Sequence, residues 1–255
     1  MDELIIRQLP VLTDNYIYLI NDPETRATAV VDPAEAAPVQ RALAETGWQL
    51  THILNTHHHP DHIGGNLELK AATHCTIVGP RADRARIPGI DIAVGDGDVY
   101  VFGAQPAQIF DIPGHTRGHI AYWFGGSNAL FCGDTLFALG CGRLFEGTPH
   151  QMWTSLLKLR ALPHETRVYC AHEYTQSNAR FALTVEPENP ALAERSRRID
   201  VLRAEGRPTV PSTIGEEIAT NPFLRADRPS LQAMAGAPGD PVATFATIRR
   251  RKDAF

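Results

Sequence analysis

No two cysteines stand close enough for a CxxC pair: Cys75, Cys132, Cys141 and Cys170 are widely spaced in a chain of 255 residues. A chain of that size needs no disulfide framework to fold. Four free thiols, packed as small apolar groups, are therefore expected. Positive charge is also scarce, with Lys and Arg numbering 24 against 29 Asp and Glu, for a net charge of -5. That balance excludes nucleic acid as a main partner, because nothing in bulk neutralises a phosphate backbone. No run of 18 apolar residues occurs, so no membrane span is expected. The start "MDELIIRQLP" meets Asp2, Glu3, Arg7 and Pro10 before any sustained apolar run, which is unlike a secretory signal. A cytoplasmic location is expected. There is no G-x-S-x-G, and the glycines of "FALGCGR" lack a following GK[ST]. Neither an elbow serine nor a phosphate cradle is therefore encoded.

What the chain does have, over its first two thirds, is a series of short β-branched or apolar runs: "NYIYLIN", "TAVVDP", "THILNT", "CTIVGP", "QIFDIPG", "HIAYWFGG", "NALFCGD" and "RVYCAHE". These read as buried strands. Helix signals lie between some of them, in "PAEAAPVQRALAETG", closing on Gly47, and in "GGNLELKAAT". From about residue 174 the strand signals give way to helix starts at Asn189-Pro190, at Ser212 or Thr213, and at Asp240-Pro241. A polar cap followed by Pro satisfies free amides and presets the first turn. The expectation is an α/β sheet domain over 1–173 with a smaller all-helical domain over 174–255.

Four of the strands deliver a metal-type ligand just past their C-terminal ends, where open α/β sheets place ligands and catalytic groups. "THILNT" leads into His57 to His62, "QIFDIPG" into His115, "NALFCG" into Asp134 and "RVYCA" into His172. Within "THHHPDH", alternation along an extended segment sends His57 and His59 to one side and His58 away. Pro60 stops regular pairing, so Asp61 and His62 address a second direction at the start of the following helix. Three neutral imidazoles make one catalytic-type ligand set with an open position; Asp61, His62 and one more histidine make another.

"THHHPDH" fits the T-H-x-H-x-D-H signature, so that the chain resembles the metallo-β-lactamase superfamily, with its αββα sandwich. The resemblance implies that His57, His59 and His115 hold one divalent ion and Asp61, His62 and His172 a second, with Asp134 bridging. Zinc is the expected metal, and iron or manganese would suit the same mixed donors. "VLTDNYIYLI", "PGHTRGHIAYW", "GDTLFALGCGRLFEGT", "AHEYTQSNARFA", "EPENP", "NPFLR" and "IRRRKDAF" narrow the resemblance to the glyoxalase II family, the hydroxyacylglutathione hydrolases, across nearly the whole chain. It implies hydrolysis of S-2-hydroxyacylglutathione thioesters such as S-lactoylglutathione, the second step of methylglyoxal detoxification. Asp134 and Asp61 would be catalytic, with a hydroxide bridging the ions. It also implies substrate contacts from Arg143, Phe145, Tyr174, Arg249 and Lys252, with Cys141 and Gly142 shaping the loop. Arg143 and Phe145 stand where eukaryotic members have Lys and Tyr; Arg keeps the charge and offers a fork for a carboxylate, whereas Phe lacks the hydroxyl.

Of the remaining histidines, His52, His58, His74, His150 and His164 read as solvated or hydrogen-bonded side chains, and His119 as a group orienting a ligand. Arg250 and Arg251 read as a solvated face at a helix C-terminus. The rival readings are another binuclear hydrolase of the same fold, such as a lactonase or other thioesterase, and a non-catalytic metal or glutathione sensor. A nuclease is disfavoured by the charge, and the ligand set argues against a sensor, which would show a closed or incomplete site. A monomer is expected, acting on a small-molecule glutathione thioester.

Overall fold

The computed structural model describes residues 2–255, which divide into two compact units. The first runs to Asp111 and resumes over Arg117–Gly133; the second comprises Ile112–Thr116 and Asp134–Phe255.

In the first unit, strands β1 (Ile5–Val11), β2 (Asn15–Asn21), β3 (Thr28–Val31), β4 (Leu50–Leu54), β5 (Thr76–Pro80) and β6 (Ile92–Val94) form one sheet in sequence order. β1, β2 and β3 pair antiparallel, and β3 to β6 pair parallel. Parallel pairing requires crossovers. Helices α1 (Ala36–Thr46) and α3 (Asn66–Thr73) supply two of them, and both lie against one sheet face. Val39, Ala42 and Leu43 of α1 and Leu69 of α3 form one core with Ile17, Leu19, Val30, Ile53 and Ile77. α1 ends as expected at Gly47, whose φ of 71° suits a left-handed cap.

A meander of β7 (Val99–Phe102), β8 (Gln105–Asp111), β9 (Ile120–Phe124) and β10 (Ala129–Gly133) makes the second layer of this unit. The buried Tyr122 of β9 donates its hydroxyl to Asn55 O at 3.0 Å, and Phe131 of β10 packs its ring 5.6 Å from Tyr18 of β2. A short helix α2 (Pro60–Ile63) follows β4. The sequence reading runs Asp61 and His62 into the next helix; they sit instead on this separate turn, opened by Pro60 at its first position and parted from α3 by Gly64 and Gly65. A Cβ at Gly64 would come within 2.4 Å of Ala34 O, so the turn packs on backbone.

The second unit carries a tight hairpin, β11 (Leu136–Phe137) with β12 (Gly140–Cys141), and the pair β13 (Arg167–Cys170) and β14 (Ser212–Thr213). Its helices are α4 (Pro149–Arg160), α5 (Thr175–Val185), α6 (Pro190–Ala204), α7 (Ile214–Thr220), α8 (Pro229–Ala235) and α9 (Pro241–Asp253). Asn189, Thr213 and Asp240 cap α6, α7 and α9 through side-chain oxygens, at the positions read from the sequence. All eight expected strands are present. β14 is an exception to the loss of strand signals beyond residue 174, and α4 was not anticipated. All four cysteines are buried free thiols.

Candidate metal centre

Each unit assembles its own set of ligand-type side chains. In the first, His57 leaves the end of β4 and His59 follows two residues on, with His57 Nε2 3.1 Å from His59 Nδ1. On α2, His62 Nε2 lies 3.5 Å from Asp61 Oδ2. His58 turns away, as alternation requires, and its Nδ1 meets the buried Asp83 carboxylate at 3.0 Å while Arg86 approaches its other nitrogen at 3.2 Å. In the second unit the two Asp134 oxygens face different rings. Oδ2 is 3.3 Å from His115 Nε2 and Oδ1 is 3.3 Å from His172 Nε2.

The outer ring nitrogens decide what the inner ones offer. Asp32 accepts Thr56 N at 2.8 Å, Thr56 Oγ1 at 2.7 Å and His62 Nδ1 at 3.1 Å. Because the Thr56 hydroxyl donates to Asp32, it accepts from His57 Nδ1 at 3.0 Å. In the second unit His115 Nδ1 donates to Arg143 O at 2.8 Å. With Nδ1 protonated, Nε2 of His57, His62 and His115 presents a lone pair inward. Within each unit an imidazole nitrogen then faces a carboxylate oxygen, His62 beside Asp61 and His115 beside Asp134, an arrangement that a bound cation satisfies. The spacing suits one: two donors about 2.1 Å from a tetrahedral ion stand about 3.4 Å apart, whereas a direct charged hydrogen bond closes to about 2.7–2.9 Å. The donor set therefore fits divalent metal, by both its chemistry and its separations.

Asp32, absent from the sequence reading, is the main omission. It follows β3 at the same strand-end position as the ligands, and a φ of 49° turns it toward Thr56. Asn15 was also missed; its amide donates to Asp61 Oδ2 at 3.0 Å and orients that carboxylate. His119 is buried, stacks on His57 with ring centroids 4.5 Å apart, and is fixed by its own bond to Ile120 O at 3.1 Å. It supports the His57 ring by packing.

The side chains expected to meet substrate all lie in the second unit. Tyr174 stacks parallel on His172 at 4.8 Å, and the Phe145 ring, 61% exposed, lies 5.1 Å from that of His115. Arg143 is exposed while its carbonyl holds His115. Lys252 lies against the rings of Phe181 and Phe255, with Nζ 3.1 Å from Ser177 Oγ. Burial, then the charges of Arg249 and Arg143, lowers its ammonium group to a pKa of about 8. Arg249, expected as a substrate contact, has its guanidinium engaged within the protein. It is 6% exposed, donates to Cys141 O at 2.8 Å, and engages Asp253 through Nε and Nη2 at 3.0 and 2.9 Å.

Residues 12–172 match the metallo-beta-lactamase superfamily, and residues 173–255 match the hydroxyacylglutathione hydrolase C-terminus. A hydroxyacylglutathione hydrolase of Methylococcus capsulatus is 63% identical over 253 residues, covering 99% of both chains. The chain belongs to the hydroxyacylglutathione hydrolases. The homonymous enzyme of Rhodospirillum rubrum is 57% identical over the full length of both chains. Among solved structures, ETHE1 from Myxococcus xanthus superposes with a TM-score of 0.69 at 29% identity, covering 96% of this chain and 90% of its own. TTHA1623 in a di-iron-bound form gives a TM-score of 0.60 at 25% identity, over 86% of this chain and 99% of its own. The α/β metallo-β-lactamase fold with a helical C-terminal region, expected from the motifs, is that of this family of thioester hydrolases.

Proposed function

We propose that His57, His59 and His115 hold one divalent ion, and Asp61, His62 and His172 a second bridged by Asp134, in a centre that hydrolyses S-2-hydroxyacylglutathione to glutathione and a 2-hydroxy acid. The observation that carries this reading is the inward set of lone pairs and carboxylates, spaced as ligand edges, with Nδ1 of His57, His62 and His115 tied to fixed acceptors. Family membership supports the hydrolase activity. Bound divalent ions supply Lewis acidity and hydroxide at neutral pH without a protein nucleophile.

The chain's own residues bind and orient. Asp134 holds its two oxygens toward separate imidazoles, and Asn15 fixes the Asp61 carboxylate. Residues 1–173 would serve as the catalytic part and 174–255 as the source of the glutathione subsite. Lys252 and Arg143 carry the positive charge that receives glutathione carboxylates, while Phe145 and Tyr174 offer ring faces beside the ligand imidazoles. Arg249 contributes by holding the Cys141 carbonyl. These groups position the acyl carbon and take no part in bond breaking. The leaving group is a thiolate whose acid has a pKa near that of free cysteine, about 8.5, so departure needs no strong acid.

Zinc is the proposed metal, and elemental analysis of protein purified without added metal identifies it. The activity test is release of free thiol from S-lactoylglutathione, followed with a chromogenic disulfide. All four of the protein's own cysteines are buried, and burial raises the thiol of Cys141 to about 11 and that of Cys170 to about 12, so a protein-only blank sets the background of this assay. No thiol release by metal-loaded protein, or turnover of lactones in its place, refutes the proposal.

A further inference from the structure

The β11–β12 hairpin begins two residues after Asp134 and ends two residues before Arg143. Five of its backbone polar atoms are held by side chains from the helical segments around it. Asn221, just past α7, lies 3.1 Å from Phe137 O and 3.0 Å from Gly140 O through one amide nitrogen. Asn178 of α5 donates to Ala138 O at 3.0 Å. Glu217 of α7 accepts Leu139 N at 2.9 Å, and Arg249 of α9 donates to Cys141 O. Leu139 sits at a φ of 59°, a left-handed conformation disfavoured for leucine, at the turn these groups enclose.

Glu217 is the centre of the clamp. It is fully buried, receives Arg195 at 2.6 Å on Oε1, and accepts both Leu139 N and Asn221 Nδ2 at 2.9 Å on Oε2. Arg195 is itself buried and also donates to Thr220 Oγ1 at 2.7 Å. An ion pair so placed costs desolvation that its attraction alone does not return. What it gains is a fixed direction for one buried acceptor and one amide.

The far end of the hairpin closes on the ligands. Gly142 N donates to Thr135 O at 3.2 Å, and a Cβ on Gly142 would stand 2.0 Å from Asp134 O and 3.0 Å from His115 Nδ1. One residue later, Arg143 O receives His115 Nδ1. We propose that the Arg195–Glu217–Asn221 clamp is a positioning device for the metal centre, which sets the Asp134 carboxylate and the His115 ring through the β11–β12 hairpin. The inference rests on the proposed ligand set. It adds that residues of the helical C-terminal segment, which touch neither ligand, determine how Asp134 and His115 meet the metal.

The test loads cobalt(II) into the intact protein and into Asn221→Ala, Glu217→Gln and Asp134→Ala, with folding followed by far-UV circular dichroism. Visible absorption reports ligand geometry, and competition with a chelator reports affinity. Asn221→Ala removes two backbone contacts without burying a new charge, so it carries the test if Glu217→Gln does not fold. The expected result is a changed cobalt spectrum and affinity reduced about 10–100-fold, the range for lost supporting contacts, in folded Asn221→Ala. A folded Asn221→Ala with the parental spectrum and affinity, beside an altered Asp134→Ala, overturns the clamp. An unaltered Asp134→Ala overturns the ligand assignment, and the clamp falls with it.

Discussion

Asp32→Asn isolates the acceptor that meets His62 directly and His57 through Thr56, two of the proposed ligands. Asn keeps the side-chain outline and tolerates the φ of 49° better than Ala would, so the backbone stays as it is. The carboxylate uses Oδ1 for Thr56 N, and Oδ2 for Thr56 Oγ1 and His62 Nδ1. An amide has one acceptor oxygen, so whichever way it turns, its NH2 group faces at least one donor that has lost its partner. A hydrogen bond to a charged group contributes about 1.5–3 kcal/mol, equivalent to roughly one to two orders of magnitude in an equilibrium constant. That range agrees with the loss of about 10–100-fold in metal affinity found when an outer contact to a ligating histidine is removed. Competition of the purified variant against a chromophoric chelator at pH 7 measures the affinity, and urea unfolding of the metal-free protein measures the cost to the fold. Parental metal affinity in a folded Asp32→Asn would refute the role assigned to this carboxylate.

Three further outcomes follow from the second unit. Lys252 is protonated below about pH 8 and neutral above it; KM for an anionic thioester should therefore rise as pH passes through 8 while kcat changes little, and a flat KM profile in Lys252→Met would show that this group is the cause. The same depressed pKa, against an ordinary 10.5, links to stability with a fixed sign: its contribution is fully present above 10.5 and is lost as pH falls through about 8. Gly142→Ala should lose metal and activity together, because its Cβ would overlap Asp134 O at 2.0 Å; metal content of the folded variant checks it.

Much of the site was legible because ligand chemistry is local. "THHHPDH" carries its own alternation and its own proline stop, and the structure separates His58 from His57 and His59 accordingly. Strands β2 to β5, β9 and β10 were legible for the same reason, being short, mostly apolar runs with turn residues nearby, whereas for β8 only the part from Gln108 was read and the strand starts at Gln105. β1 was not, since the adjacent Arg7 and Gln8 interrupt its apolar run and it contains Pro10, which suits an edge. Asp32 was passed over because "VVDP" reads equally well as a strand end with a turn, and only the fold brings its carboxylate to Thr56 and His62. Arg249 shows the opposite case. A basic residue in a terminal helix looks available for an anion, yet tertiary packing consumes its guanidinium on Cys141 O and Asp253.

The two ligand sets differ in how far apart their members lie along the chain. His57, His59, Asp61 and His62 fall within one strand end and one helical turn, so bringing them together closes only a short loop at small entropic cost. His115, Asp134 and His172 come from three separate stretches and meet only when β13 and the β11–β12 hairpin are in place. The first set therefore asks for little more than local order, whereas the second depends on several distant segments of its unit being folded.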